Sequence, residues 1–313
     1  MLSDITQIAI GLVCLYFGAE YLVTGCVRVA KVFRISPFII GATVIGFGTS
    51  SPELAVSVLA ALRGAPELAL GNVIGSNIAN VGLVLGLTAF MVPLSIKEKR
   101  LKDETPPLLI ATFLILGLAW DFHLGRVEGL IMAALLILYL GISLSKKEDS
   151  EVELKDESSL FAGRTMGFQV ILIVVSLGLL IFGAERLVQG AVHIAKGMGI
   201  SEWFIGISLV ALGTSLPEIF SSLIAAKRGH GEMAIGNVFG SNIFNILMVL
   251  GATTSIRPLN IVENIHSDLL ITTGLTCLLI ILIRLNNGLS KRDGLILLTC
   301  YVVYLSLKGT GVT

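Results

Sequence analysis

Residues 17–86 recur at 182–251 with a constant shift of 165 and no gap, and 37 of the 70 positions are identical. Gly18-Ala19-Glu20 returns as Gly183-Ala184-Glu185, Gly48-Thr49-Ser50 as Gly213-Thr214-Ser215, and Pro52-Glu53 as Pro217-Glu218. Gly75-Ser76-Asn77-Ile78 returns as Gly240-Ser241-Asn242-Ile243. A shared apolar character alone would not preserve polar residues at one register over this length. The chain is therefore a duplicated unit, and its fold must place two copies of the same segment.

The solvent of that fold follows from composition. Hydrophobic residues make up 54% of the 313, charged residues 14%, and the mean hydropathy is +0.90. A soluble core of this size could not hide so much apolar side chain, and soluble domains carry ~25% charged residues. Soluble enzymes, nucleic-acid binders and disordered proteins are excluded, leaving an integral membrane protein. Lys+Arg and Asp+Glu both total 22, so no net charge points to a polyanionic partner. Cys14, Cys26, Cys277 and Cys300 lie in apolar runs without a CxxC pair and read as small packed residues, not as a disulfide or zinc framework.

A helix crossing the hydrocarbon layer needs ~20 mainly apolar residues. Allowing breaks around Pro52 and Pro217, ten spans are expected near 4–30, 36–62, 67–92, 105–121, 126–144, 166–194, 202–227, 232–256, 266–285 and 291–308. The start, Met1-Leu2-Ser3-Asp4, lacks a basic leader and is expected to open the first span. Five spans per copy make the second copy enter the membrane from the opposite side. The expected fold is all-α: ten transmembrane helices as two inverted five-helix repeats, residues 1–145 and 165–313, joined by a polar linker at 146–164. Such inverted repeats carry substrate sites near the midplane in many secondary transporters. With the N-terminus outside, the connections after spans 1, 3, 5, 7 and 9 hold 16 of the 22 basic residues. Basic loops stay cytoplasmic. Both termini are then outside and the linker is cytoplasmic, in a multi-pass cell-membrane protein.

The polar residues that the copies share define the candidate site. Pro52 and Pro217 have no N–H, so the carbonyls of Gly48 and Gly213 lose their helical donors and the turn around Thr49 and Thr214 opens. Ser50 with Glu53, and Ser215 with Glu218, stand at i and i+3 on one helical face. Each copy thus offers a carboxylate, a hydroxyl and freed backbone oxygens, hard ligands suited to Ca²⁺, Na⁺ or Mg²⁺. An ionised side chain at the bilayer centre costs at least ~2.5–3.5 kcal/mol. Neither motif contains a basic partner, so a bound cation or a proton is the expected compensation.

In the next span of each copy, Ser76 with Asn80 and Ser241 with Asn245 share a face at i, i+4. Gly71/Gly75 and Gly236/Gly240 allow close helix packing. Asn72, Asn77 and their counterparts are expected to hydrogen-bond between helices or to backbone rather than touch the cation. Glu20 and Glu185 suit either a structural or a gating role. His123, His193, His230 and His266 fall near span ends and are expected to be solvated. No Walker-type Gly-Lys-Ser/Thr sequence occurs, so ATP is not an expected energy source.

The duplicated Gly-Thr-Ser-x-Pro-Glu and Gly-Asn-Val-x-Gly-Ser-Asn-Ile motifs resemble those of the sodium/calcium exchanger family, within the calcium:cation antiporters. The resemblance runs along the whole chain and matches the short prokaryotic type. It implies that Glu53 and Glu218 are central Ca²⁺ ligands, joined by backbone oxygens of Thr49 and Thr214. It also implies Na⁺ sites that share these residues and add Ser50, Ser76, Ser215, Ser241 and backbone oxygens of Gly46 and Ala211. The span-8 position is Asp in some exchangers, whereas Asn245 here mirrors Asn80, which leaves two carboxylates at the centre.

The function expected is a secondary antiporter, not an enzyme. It brings Na⁺ in and Ca²⁺ out by alternating access, with three Na⁺ per Ca²⁺ implied by the resemblance. No cofactor, nucleic acid or ATP is required; the partners are the two ions and the bilayer. The alternative is an H⁺/Ca²⁺ or other divalent exchanger using the same glutamates. A cation channel could use the same oxygens without coupling. An intramembrane hydrolase would need a base beside Ser50 or Ser215, and no His or Lys is placed for it.

Overall fold

The computed structural model describes residues 2–145, 165–198, 211–262 and 265–309. The expected linker and the first part of the span expected at 202–227 lie outside the described residues. Twelve helical segments are described: α1 (Leu2–Phe33), α2 (Pro37–Thr49), α3 (Ser51–Leu62), α4 (Pro66–Met91), α5 (Glu98–Leu118), α6 (Arg126–Ser145), α7 (Met166–Gly197), α8 (Ala211–Thr214), α9 (Leu216–Lys227), α10 (Gly231–Ile256), α11 (His266–Asn286) and α12 (Lys291–Gly309). By length and composition six of them, or seven with the bent pair α2–α3, can cross a membrane. The protein is all-helical and of membrane type.

Two boundaries differ from the sequence reading. The breaks expected around Pro52 and Pro217 fall at Ser50 and Ser215, where ψ collapses to about 0°. Each proline is the second residue of the following helix, a place where its missing N–H costs nothing. The resulting bend between α2 and α3 is 42°. Helix α5 starts at Glu98 rather than near 105 and carries Pro106 and Pro107 inside it. An apolarity criterion misses its first turns, which are charged and held by a Glu98–Lys102 pair at 2.7 Å.

The order of burial places the site. Of the apolar window of α10, 94% is buried, against 22% for α6. Helix α10 is thus the central rod and α6 a peripheral one. Gly236 and Gly240 let the backbone of α2 lie directly on α10: a Cβ at either would meet the carbonyl of Phe38 or Ala42. The long helices α1 and α7 pack antiparallel along their length, with Gly11 against the Gly183 carbonyl, Gly18 against that of Ser176, and Gly190 against that of Asp4.

Contacts between the copies are reciprocal. Four two-residue strands, β1 (Leu94–Ser95), β2 (His123–Leu124), β3 (Leu259–Asn260) and β4 (Gly288–Leu289), pair antiparallel as β1–β4 and β2–β3. Shifting either pair by 165 residues between copies produces the other. The Lys97 N–H donates to Glu232 Oε1 at 2.8 Å, and its counterpart, the Val262 N–H, donates to Glu67 Oε1 at 3.2 Å.

The four cysteines are free, as expected. Two histidines are exposed, as expected: His123, and His193, which faces Asp4 at 3.2 Å. The other two are not simply solvated: His230 is 4% exposed at the start of α10, and His266 stacks on Trp120.

Candidate functional site: a buried oxygen cluster between two copies

The site is built where α2–α3 and α8–α9 break, against α4 and α10. Glu53 is 1% exposed and Glu218 0%, in the first turns of α3 and α9. The Thr214 side chain hydrogen-bonds to the Glu53 carboxylate. Reciprocally, Thr49 and Ser241 hydrogen-bond to Glu218, with Ser241 Oγ donating to Oε1 at 3.5 Å. Thr49 Oγ1 also lies 3.3 Å from Ser241 Oγ. Thus each copy's threonine serves the other copy's glutamate, and the two carboxylates share one buried region. The backbone N–H groups of Glu53 and Glu218, in the first turns of α3 and α9, also face their own carboxylates.

Among the buried side-chain oxygens without a hydrogen-bond partner are three repeat-related pairs: Ser50 and Ser215 Oγ, Glu53 and Glu218 Oε2, Asn80 and Asn245 Oδ1. A buried polar atom left unsatisfied costs about 1–3 kcal/mol. These six supply two carboxylate, two amide and two hydroxyl oxygens, a set that a cation would satisfy. Among the described residues no group of three or more His, Cys, Asp or Glu comes together. The charge of the cluster therefore rests on two glutamates, with neutral oxygens around them.

The remaining expected residues fall as follows. Ser76 is 6% exposed and Ser241 0% on α4 and α10, but among the described residues no hydrogen bond joins Ser76 to a carboxylate. Gly46 lies against the backbone of α10 beside Ser241. Ala211 opens α8. Asn72 and Asn237 bond between helices, as expected: Asn72 Nδ2 donates to Ser57 Oγ at 2.9 Å, and Asn237 Nδ2 to Ser222 Oγ at 2.9 Å.

Three features were not anticipated. Helices α4 and α10 each widen to a π-helical turn, Asn80–Leu85 and Asn245–Leu250, opened by the asparagine of the site. Such turns gather at functional positions. Second, Asn77 and Asn242 bond between helices and to backbone as expected, but the partners lie in the opposite copy, which an intra-copy helical face does not suggest. Third, the repeat is broken at Glu20. It forms an ion pair with Arg228, whose Nη1 also donates to Thr24 Oγ1 at 2.8 Å, tying α1 to the end of α9. Its counterpart Glu185 is exposed and accepts from Gln189 of its own helix at 2.9 Å. On that side a cavity of about 310 Å³ opens instead, lined by Pro52, Val56, Glu185, Val188, Thr214 and Pro217. Both helix breaks border it.

A family model described as sodium/calcium exchanger protein matches residues 4–145 and 168–309. Sodium/calcium exchanger MaX1 of Methanosarcina acetivorans is 31% identical over 95% of both chains. Inner membrane protein YrbG of Escherichia coli is 33% identical over 82% of this chain and 81% of its own. Among solved structures, the sodium-calcium exchanger NCX_Mj soaked with 10 mM Na⁺ and zero Ca²⁺ superposes with a TM-score of 0.85 at 33% identity, covering 97% of this chain and 98% of the other.

Proposed function

We infer that this chain, which belongs to the sodium/calcium exchanger family, is a secondary antiporter that moves Na⁺ inward and Ca²⁺ outward through one shared site. The observation that carries the reading is the set of three paired, donor-less oxygens around two buried glutamates. Glu53 and Glu218 would hold Ca²⁺ with the backbone oxygens of Thr49 and Thr214. Na⁺ would use the same four residues, the hydroxyls of Ser50, Ser76, Ser215 and Ser241, and the backbone oxygens of Gly46 and Ala211. Asn80 and Asn245 neighbour the centre. Since both ions draw on the glutamates, occupancy is competitive, and competition at a site reached alternately from each side couples the fluxes.

The ten-span inverted plan belongs to the same reading. Equivalent helices α1 and α7 run antiparallel, and the cross-copy contacts exchange under a shift of 165. Both features are what a pseudo-two-fold axis in the membrane plane demands. The family model's two matched stretches support the division into 1–145, a linker at 146–164, and 165–313. Alternating access would come from α1 and α7 moving against the bundle that carries the motifs. The Glu20–Arg228 pair closing one side, opposite the cavity beside Glu185, is the asymmetry that a carrier resting in one of its two states presents.

Two measurements test the reading. In proteoliposomes with Na⁺ and pH gradients imposed separately, an outward-directed Na⁺ gradient should drive Ca²⁺ uptake and a pH gradient alone should not. Uptake driven only by the pH gradient would assign the same glutamates to proton exchange. The hydroxyl and amide oxygens around them, which are Na⁺ ligands, favour Na⁺. Orientation is read separately. A cysteine placed in the 146–164 loop should react with an impermeant maleimide in inside-out vesicles and not in intact cells. Labelling in intact cells would reverse the assignment of both termini to the outside.

A further inference from the structure

Four buried asparagines, two from each copy, form a hydrogen-bonded circuit. Asn77 Nδ2 donates to the backbone carbonyl of Asn242 at 3.4 Å, and Asn242 Nδ2 to that of Asn77 at 3.4 Å. Asn245 Nδ2 donates to Asn77 Oδ1 at 3.0 Å, and Asn80 Nδ2 to Asn242 Oδ1 at 3.1 Å. All four side chains are at most 1% exposed. What remains over is the Oδ1 of Asn80 and of Asn245, buried and without a donor.

The circuit has only one low-energy direction. A backbone carbonyl can only accept, so Asn77 must turn its NH₂ toward Asn242. That fixes Asn77 Oδ1 toward Asn245, which must answer with its own NH₂. Its oxygen is then forced to the free side. The mirrored chain of necessity runs from the Asn77 carbonyl through Asn242 to Asn80. Reversing any amide would set two oxygens face to face about 3 Å apart in a buried site, where neither can find water. The turn opened by Asn245 packs on α3, which carries Glu53, and the turn opened by Asn80 packs on α9, which carries Glu218.

We propose that Asn77 and Asn242 are positioning residues that lock the carboxamides of Asn245 and Asn80 with their oxygens free for the transported cation, and that this circuit selects a neutral amide over a carboxylate at those two positions. The proposal rests on the reading that the buried glutamates bind cations. A carboxylate at position 245 would place an acceptor against Asn77 Oδ1, and the circuit offers no donor there. The site's charge is thereby fixed by the asparagines as well as by the glutamates.

The test is a double-mutant cycle on the purified full-length protein, reading the Kd for ⁴⁵Ca²⁺ and its displacement by Na⁺. In the wild-type background N77A should weaken Ca²⁺ binding about tenfold, the equivalent of one lost orienting hydrogen bond. In the N245D background N77A should instead tighten binding or leave it unchanged, because a carboxylate offers an oxygen either way round once Asn77 Oδ1 is gone. This change of sign is the expected result. Weakening by the same factor in both backgrounds would reduce Asn77 to a packing residue and overturn the proposal, as would wild-type binding by N77A. The mirrored cycle, N242A with N80D, asks the same question if N77A does not fold. Retention of Ca²⁺ binding by E53Q in the same assay would instead sink the cation-site reading, whatever the cycle gives.

Discussion

Glu53→Gln and Glu218→Gln should each abolish Na⁺-driven Ca²⁺ exchange, lowering transport by at least ~100-fold, while the protein folds and inserts. Both side chains are at most 1% exposed, each with one oxygen lacking any donor. The amide removes one of two negative charges facing a divalent ion and one of two oxygens that could bind it bidentately. Removing one partner of a buried ionic interaction typically costs about 3–5 kcal/mol, two to three decades or more in binding. Stability should respond in the opposite sense. Without cations, two carboxylates share a buried region with no basic residue among their hydrogen-bond partners, so replacing one by a neutral amide relieves repulsion. The Tm of either variant in cation-free buffer should equal or exceed that of the parent. What should vanish is its rise on adding Ca²⁺, which in the parent reflects a stabilisation of ~2.7 kcal/mol at a hundredfold excess over Kd. Wild-type Ca²⁺ exchange in both variants would mean that the site lies elsewhere. A lower Tm in cation-free buffer would instead show the glutamates to be structural.

Much of this site was legible because the chain states it twice. Glu53, Ser50 and Asn80 alone would be three polar residues in apolar helices, but their recurrence as Glu218, Ser215 and Asn245 at one fixed shift singles them out as a candidate site. Each of the six carries a buried oxygen without a hydrogen-bond partner. Periodicity also located the long helices, since apolar length is what a bilayer selects. Other features escaped for identifiable reasons. A helix that extends into water, as α5 does from Glu98, has no apolar signature in its first turns. The strands β1 to β4 are two residues each, too short for any alternation to register. Cross-copy contacts such as Asn245 to Asn77 depend on the angle at which α4 meets α10, which no single-helix pattern encodes. Symmetry itself misleads at Glu20. The repeat treats Glu20 and Glu185 as equals, whereas a carrier must break its symmetry to open on one side, and only Glu20 meets its arginine.

Exchange should be electrogenic, with one net positive charge entering per Ca²⁺ expelled. Glu53 and Glu218 supply two negative charges, and the neighbouring Asn80 and Asn245 are neutral, so Ca²⁺ is balanced on its leg of the cycle. Three Na⁺, the number that the family resemblance supplies, leave the return leg with one positive charge. A potential of ~100 mV then adds ~2.3 kcal/mol to the driving force, a factor of roughly 50 in the Ca²⁺ gradient that a given Na⁺ gradient can sustain. The competing outcome is rooted in Asn245. If the amide there cannot support a third Na⁺, two Na⁺ would exchange for one Ca²⁺, no charge would move, and the potential would contribute nothing. Potentials imposed with K⁺ and valinomycin on Na⁺-loaded vesicles separate the two cases, with K⁺ flux measured in parallel to detect co-transport. For Na⁺ leaving and Ca²⁺ entering such vesicles, three-to-one exchange carries positive charge outward. An inside-positive potential must therefore accelerate Ca²⁺ uptake and an inside-negative one retard it, and uptake indifferent to both would establish electroneutral exchange.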